Sequence, residues 1–278
     1  MSTAIRQPAV AGRLYPANAQ RLRAEVETFT TARAKPEQEA SEPLIRAVGC
    51  ISPHAGYMYS GAVAGALYRR LNLPHKFIIL CPNHTGQGEP LAIVSNGAWH
   101  TPLGDAVIDA DLALALKEAA PHLSEDAEAH RYEHALEVQL PFLQVLQPDF
   151  QFVPIAVATT KFDWLSSVGE AIAKVVSSGA KRTMIVASSD MNHYESDDVT
   201  RVKDRRAIDQ VLALNPRGLY DTVRDGHISM CGYGPATIML TASLQLGATK
   251  AELVRYATSA EVSGDRDMVV GYAGIAVY

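Results

Sequence analysis

Short apolar runs alternate with helical patterns along this chain. Four runs are rich in aliphatic side chains and bounded by turn residues, which is typical of strands buried on both faces: AVGCIS at 47–52, KFIILCP at 76–82, FVPIAVA at 152–158 and RTMIVASSD at 182–190. The spacing of apolar positions predicts helices over residues 18–31, 61–71, 109–120, 133–146 and 163–176. Because strands and helices alternate, the pattern predicts an α/β fold whose central, mostly parallel sheet is flanked by helices.

The remaining segments give no sign of a second domain. The tail VVGYAGIAVY at 269–278 predicts one more strand, at an edge of the sheet. The segment ARAKPEQEASEPL at 32–44 is polar and contains proline, which predicts a surface loop too short to separate domains. With no internal repeat in 278 residues, we expect a single domain over residues 1–278.

Composition and charge narrow the class of protein. Hydrophobic residues make up 47% of the chain, which is enough for a large core, and the net charge of −5 offers no general attraction to nucleic acid. The N-terminus does not resemble a secretory signal, and no run of 18 apolar residues predicts a membrane span. We therefore expect a cytoplasmic protein whose three cysteines stay as thiols, with neither nucleic acid nor membrane as a partner.

Polar side chains follow three of the predicted strands. His54 and His84 each come two residues after the end of such a run, while Asp190 ends a third run and His193 lies three residues beyond it. Ligands of open α/β sheets bind at the carboxyl ends of the strands. A lone histidine there is most often a hydrogen-bonded loop residue. Three imidazoles that arrive from separate strands can face one point, which favours a metal site.

The three cysteines differ in their surroundings. Cys50 and Cys81 lie inside apolar strand runs and are expected to be core residues. Cys231 lies beside glycines in HISMCGYGPATIML, residues 227–240, just before an apolar helical pattern. The positive end of that helix would favour a thiolate, so we expect the pKa of this thiol to be lowered. Cys231 is therefore the candidate metal ligand.

A rival motif occurs in AHRYEHALEV. His130, Glu133 and His134 stand in the order H-x-x-E-H, which matches an inverted zinc-peptidase pattern. A helix would place both histidines on one face, yet the same residues with Glu137 could form a solvated polar stripe. A zinc-dependent hydrolase ranks last among our hypotheses, because no distal ligand is identified.

Several aromatic and acidic residues elsewhere are predicted to lie either in a pocket or at the surface. Tyr57 and Tyr59 leave two interpretations open: they line a pocket and donate to a ligand, or they pack half-buried with hydrated hydroxyls. The acidic residues of EVSGDRDMVV are expected in a surface turn.

Seven blocks of sequence, in order along nearly the whole chain, resemble the Memo family: RQPAVAGRLYPAN, ISPHAGYMYSG, CPNHTGQGEP, AHRYEHALEVQLPFL, VASSDMNHYE, SMCGYGPATIML and YATSAEVSGDRDMVVGYAG. Prokaryotic members of that family are named as protein B of the AmmeMemoRadiSam system. The resemblance implies the LigB-like α/β fold of class III extradiol dioxygenases, in which two histidines and a glutamate hold iron(II).

The resemblance also implies a role for each candidate residue. His54 and His84 would be metal ligands, Cys231 would stand at the position of the third ligand, and Asp190 and His193 would be catalytic. Glu133 and His134 would at most line the pocket, and Tyr57 and Tyr59 are candidates for it that come from the sequence itself. The thiolate departs from the dioxygenase pattern and widens the choice of metal, so iron is expected first, with copper or zinc as alternatives.

These residues give an expected function with one principal alternative. The leading hypothesis is a metal-binding oxidoreductase, or an accessory enzyme of a radical system, that acts on a small-molecule or protein-borne substrate. The resemblance implies radical-SAM and AMMECR-like proteins as partners. Ring cleavage itself is not inherited from the fold. The alternative is a non-catalytic module that binds a peptide or protein in the same pocket.

Overall fold

The computed structural model describes residues 4–31 and 43–278. Twelve strands occur within these residues: β1 (Ile5–Arg6), β2 (Gly49–Ser52), β3 (Lys76–Pro82), β4 (Leu91–Ile93), β5 (Ala98–Thr101), β6 (Gly104–Ile108), β7 (Ser124–Glu125), β8 (Gln151–Val157), β9 (Thr183–Ser188), β10 (His193–Glu195), β11 (Ala251–Thr258) and β12 (Val269–Val277). The same residues contain ten α-helices: α1 (Ala19–Thr31), α2 (Tyr57–Arg70), α3 (Ala110–Ala119), α4 (Glu128–Arg131), α5 (Leu140–Leu146), α6 (Phe162–Ser178), α7 (Asp197–Leu212), α8 (Pro216–Asp225), α9 (Tyr233–Gln245) and α10 (Ala260–Ser263). The loop predicted at 32–44 falls largely outside the described residues.

The centre of the sheet is parallel. Strands lie in the order β6–β8–β3–β9–β2, and every neighbouring pair among these five is parallel. Antiparallel strands extend this centre, since β5 pairs with β6, β4 with β8, and β12 with β2. The predicted α/β fold of the LigB-like type, with a mostly parallel sheet flanked by helices, is confirmed.

The position predicted for the last strand is wrong. The sequence places residues 269–278 at an edge, but β12 lies between two antiparallel partners, β2 and β11, and also pairs with β10. The burial explains why the segment is almost entirely apolar: Val269 and the seven residues from Gly271 to Val277 are buried. A strand with neighbours on both sides needs no polar edge.

Alternate side chains of each central strand supply two cores. In β3, Ile78 and Leu80 join one apolar cluster, whereas Phe77 and Ile79 join another on the opposite face. The first cluster is covered by α3, α6, α7, α8 and α9, and the second by α1, α2 and α5. Because both faces of the strands are buried, the strands read as continuous apolar runs in the sequence.

Side-chain caps fix where several helices begin. Asp109 accepts a hydrogen bond from the backbone N–H of Leu112 at 3.1 Å and starts α3. Asn215 accepts from Gly218 N at 2.9 Å and precedes Pro216, the first residue of α8. Both pairs satisfy N–H groups that have no partner inside a helix. Among the described residues, every helix is too short or too polar to cross a bilayer.

One predicted helix is broken. The sequence predicts a helix over 133–146, but α4 ends at Arg131, a non-helical segment follows, and only a 3₁₀ turn (Glu137–Gln139) and α5 are helical. The break coincides with a tertiary contact, because the side chain of Glu133 accepts a hydrogen bond from the backbone N–H of His84 in another loop instead of facing water. His130 and His134 therefore do not share a helix face, and the geometry expected for a zinc-peptidase motif is wrong.

Candidate metal centre

The carboxyl ends of β3, β9 and β2 lie side by side and deliver polar residues to one edge. His84 follows β3, Asp190 follows β9 and His54 follows β2, as the positions of these residues in the sequence predict. A cavity of about 520 Å³ opens at this edge. Its walls are formed by His54, Ala55, His84, His134, Asp190, His193, Tyr194, Ser229, Cys231 and Val270.

Two histidines and a cysteine come together in this cavity. His54 Nε2 lies 3.2 Å from Cys231 Sγ. One ligand atom from each of His54, His84 and Cys231 lies within 4.8 Å of the others. Metal–nitrogen and metal–sulfur bonds of about 2.0 and 2.3 Å separate neighbouring ligand atoms by about 3.3–3.8 Å in a tetrahedral site. The separation of His54 and Cys231 is close to this range, and the 4.8 Å limit brings all three donors within reach of one ion.

The hydrogen bonds of Ser188 fix the tautomer of His54. The Ser188 hydroxyl donates to the carbonyl of Ala135 at 2.6 Å and accepts from Gln139 Nε2 at 2.8 Å. With its proton used, the hydroxyl accepts from His54 Nδ1 at 3.0 Å. Nδ1 therefore carries the proton, which leaves the lone pair of Nε2 directed at Cys231. Burial first, and then neighbouring histidines, lower the pKa of His54, so its ring is neutral.

A carboxylate orients His84 in the same way. His84 Nδ1 lies 2.9 Å from Glu133 Oε1, and Glu133 Oε2 accepts from the backbone N–H of His84 at 2.5 Å. A carboxylate only accepts, so Nδ1 is the donor and Nε2 is the nitrogen available to a metal. Burial lowers the pKa of His84, but the hydrogen bond and charge of Glu133 outweigh this effect and raise the pKa above its ordinary value.

Glu133 is also one member of a second cluster of possible ligands, with His84 and His134. Its side chain is fully buried, and Oε1 accepts a further hydrogen bond from Ala135 N at 2.8 Å. These hydrogen bonds occupy the acceptor positions of the carboxylate on the side that faces the protein. Glu133 is thus the hydrogen-bond partner of a candidate ligand, and such an arrangement recurs behind metal-bound histidines.

Asp190 and His193 flank the three donors. Asp190 Oδ1 accepts from His54 N at 2.7 Å and from Ala55 N at 3.3 Å. Burial raises the pKa of Asp190 to about 7, although these backbone bonds oppose the shift. His193 Nδ1 lies 2.9 Å from the carbonyl of Ser229, so this nitrogen is the donor and Nε2 holds the lone pair. Burial lowers the pKa of His193, which keeps that lone pair free at neutral pH.

Cys231 lies directly before Gly232, the N-terminal capping residue of α9, as the glycine-rich sequence predicts. The expected low pKa is wrong for the metal-free chain. Burial first, and then the charge of Asp190, raise the pKa of the thiol, and hydrogen bonds at the sulfur only partly oppose them. Desolvation of the thiolate therefore outweighs the helix terminus, and a bound cation would be needed to hold Cys231 deprotonated.

We expect metal binding to release protons. At pH 7 the metal-free chain keeps the thiol proton of Cys231, and part of the His84 population is protonated, whereas a metal ion requires a thiolate and neutral imidazoles. Zinc added to chelator-treated protein should therefore release about one to two protons per ion. Titration calorimetry in two buffers of different ionisation enthalpy measures that number. Cys231→Ser should reduce it by about one, and a release near zero in the parent would contradict the assignment.

Comparisons with known proteins agree with the sequence blocks. The family model described as "Memo-like protein" matches residues 6–276. The chain belongs to the Memo family. It is 43% identical to the MEMO1 family protein of Methanosarcina mazei over 274 residues, covering 98% of this chain and 99% of that protein. It is 42% identical to the MEMO1 family protein of Sulfolobus acidocaldarius over 280 residues, covering 98% of each chain.

A solved structure shares the fold of this Memo-family chain. The crystal structure of an uncharacterized protein of Escherichia coli K12, JW3007, superposes with a TM-score of 0.55, covering 81% of this chain and 99% of that one. The two sequences are only 15% identical. This likeness shows a common fold and carries no information on activity.

Two predicted pocket residues of the Memo-family chain lie elsewhere. Tyr57 is 2% exposed, donates to the carbonyl of Val138 at 2.7 Å and packs against Phe142 in the core. Tyr59 packs against the small cluster around Tyr272 and does not line the cavity. Both residues sit in the first turn of α2, where Tyr57 is buried and Tyr59 is half-buried. Of the four predicted wall residues, His134 lines the cavity and Glu133 lies behind His84.

Several other residues of the site could not be identified from the sequence. Ser188 and Gln139 set the tautomer of His54, and Ser229 holds His193 through both its hydroxyl and its carbonyl. Tyr194 lies at the cavity wall with 69% of its surface exposed and a φ of 59°. Such a backbone angle is unusual for an aromatic residue and indicates a local constraint. A hydroxyl at the end of a strand, as in VASSD, is the one sequence signal that points to Ser188.

Proposed function

We propose that this Memo-family chain is a metal-binding protein that uses His54, His84 and Cys231 as ligands. The proposal extends to an oxidoreductase, or an accessory enzyme of a radical system, acting on a small-molecule or protein-borne substrate. One observation carries it: three donor atoms face one point, and the other ring nitrogen of each histidine is already held by an acceptor. Metal-binding histidines are oriented in this way because the second hydrogen bond fixes the tautomer.

The donor set suits iron, copper or zinc. Two imidazoles and one thiolate are softer than the histidines and carboxylate of the dioxygenases, which favours copper and zinc as well as iron. We propose iron(II) first, on the likeness of the fold. Such a redox metal would supply electron transfer or oxygen chemistry at the cavity, whereas zinc would supply Lewis acidity.

Asp190 and His193 are proposed to handle protons for that chemistry. The pKa of Asp190 is about 7, so this carboxyl can give or take a proton at neutral pH. His193 presents a neutral Nε2, because its other nitrogen donates to a carbonyl and burial lowers its pKa. The cavity of about 520 Å³ is large enough for a small molecule or for one side chain of a protein.

Partners and location complete the proposal. On the family resemblance we propose radical-SAM and AMMECR-like proteins as partners. We place the protein in the cytoplasm, because Cys50, Cys81 and Cys231 are all free thiols and a reducing compartment would keep them so.

Elemental analysis tests the proposed centre. Protein purified without chelators should contain about one equivalent of metal, and His54→Ala and His84→Ala should each lose most of it, because two remaining donors hold an ion poorly. His100→Ala is a matched control, since this histidine pairs with Asp105 on the surface, and its variant should keep the parent's metal content. Unchanged metal in both site variants would remove the proposal.

A further inference from the structure

Asn192 is a buried residue to which the proposed chemistry gives no role. It stands between Asp190 and His193 in the chain, two residues of the cavity wall, and none of its own surface is exposed. Its backbone N–H donates to Asp204 Oδ1 at 2.8 Å, and its carbonyl accepts from Gly271 N at 2.9 Å. The main chain at this position is therefore held without help from the amide side chain.

The side-chain amide of Asn192 has one orientation that satisfies its neighbours. Its Nδ2 lies 2.7 Å from Glu195 Oε2, and a carboxylate only accepts. Its Oδ1 lies 3.1 Å from the backbone nitrogen of Ser229, and a backbone N–H only donates. The hydroxyl of Ser229 donates to the same Oδ1 at 3.1 Å. Asn192 thus holds Ser229 by two hydrogen bonds inside the protein.

Ser229 in turn fixes the ring of His193. Its hydroxyl oxygen accepts from His193 N at 2.7 Å, and its carbonyl oxygen lies 2.9 Å from His193 Nδ1. Because a carbonyl only accepts, Nδ1 carries the ring proton and Nε2 keeps the lone pair. One residue therefore holds His193 at both its backbone and its ring, and that residue is itself held by Asn192.

We propose that Asn192 is a positioning residue, which prepares His193 for proton transfer by holding Ser229. The inference rests on the proposed role of His193 at the metal cavity. Without Oδ1 of Asn192, the N–H and the hydroxyl of Ser229 lose their common acceptor, and the Ser229 carbonyl can move away from Nδ1. A neutral imidazole without that acceptor takes its proton on either nitrogen, and the Nε2–H tautomer has no lone pair to offer in the cavity.

Long-range ¹H–¹⁵N NMR of the metal-free full chain at neutral pH tests the proposal, because it reports which nitrogen of His193 carries the proton. In the parent, nearly all molecules should carry it on Nδ1. Asn192→Ala should reduce this population by about twofold or more, because the Ser229 carbonyl is no longer held. Asn192→Asp keeps the acceptor that faces Ser229 and should keep the parental tautomer, although its second oxygen then faces the carboxylate of Glu195 and lowers stability.

These two variants separate positioning from stability. A merely structural role of Asn192 would lower the melting temperature in both variants and leave the tautomer of His193 unchanged. Asn192→Ser is too short to reach Ser229 and takes the place of Asn192→Ala if that variant does not fold. Asn215→Ala is the matched control, because this asparagine caps α8 at Gly218 N, and it should lose stability while the tautomer stays parental.

Two results would overturn the proposal. One is a parental tautomer of His193 in Asn192→Ala, and the other is a mixture of tautomers in the parent itself. The metal content of the parent is measured separately by elemental analysis, so a failure of the metal centre and a failure of this proposal can be told apart.

Discussion

Replacing Glu137 by alanine should lower the free energy of unfolding by about 3–5 kcal/mol, because it removes the carboxylate that neutralises the largely buried guanidinium of Arg6. Glu137 is fully buried and accepts from Arg6 Nη1 at 2.8 Å and from the hydroxyl of Tyr15 at 2.6 Å. The backbone N–H groups of Ala9 and Val10 donate to the same carboxylate at 2.8 and 3.1 Å. The substitution would therefore strand four donors and release the N-terminal segment from the sheet.

Urea denaturation followed by far-UV circular dichroism measures this loss. Glu128→Ala is the matched control, because Glu128 is an exposed glutamate whose pair with Arg131 spans 3.5 Å. That variant should change the free energy of unfolding by less than about 1 kcal/mol. Glu137→Gln keeps one acceptor oxygen and should fall between the two. A loss below about 1 kcal/mol in Glu137→Ala would mean that water replaces the carboxylate at this position.

Glu137 also shows where prediction from sequence stops. The local pattern allows a solvated polar stripe along one helix, since His130, Glu133, His134 and Glu137 lie at helical spacing. The partner that buries Glu137 is Arg6, which is 131 positions away in the chain. A periodic pattern reports only neighbours along an element, so it cannot reveal that a carboxylate will meet a distant guanidinium. The helix predicted over 133–146 was wrong for the same reason.

The central strands could be predicted because their burial leaves a direct mark on the sequence. A strand covered on both faces has no polar alternation, and KFIILCP at 76–82 coincides with the observed strand Lys76–Pro82. Such runs do not indicate the order of the strands in the sheet. The edge position predicted for residues 269–278 was wrong for that reason, because an apolar strand between two partners and one at an edge differ only in their neighbours.

The metal-ligating residues of the candidate site could be predicted from the sequence. The residues that orient them through hydrogen bonds could not. Turn residues after buried strands indicate which side chains reach the sheet edge, and this rule is enough to select His54 and His84. Ser188, Gln139 and Glu133 act through hydrogen bonds that cross between loops. The pKa of a thiol depends likewise on three-dimensional burial, which is why a helix terminus next to Cys231 gives the wrong direction.

Glu133→Gln should weaken metal binding by about 10–100-fold without removing any proposed ligand. The carboxylate accepts from Nδ1 of His84 and from the backbone N–H of the same residue. A glutamine can accept at one of these positions only, and its amide nitrogen must face the other. If the amide donates to Nδ1, the ring proton moves to Nε2 and the lone pair that would bind the metal is lost. If the amide faces the backbone N–H, two donors oppose each other and His84 is displaced.

Competition between a zinc chromophore and the purified variant measures the affinity, and long-range ¹H–¹⁵N NMR of the metal-free protein reports which nitrogen of His84 carries the proton. Glu125→Gln is the matched control, because this exposed glutamate pairs with Lys117 at 2.7 Å and should leave both readouts unchanged. Ser188→Ala applies the same reasoning to His54, whose Nδ1 would lose its acceptor. A merely structural role of Glu133 would lower the melting temperature and leave the His84 tautomer unchanged. The position of the proton on His84 decides whether Nε2 can bind a metal at all. If Glu133→Gln keeps the affinity of the parent and the proton stays on Nδ1, the carboxylate does not orient the ligand.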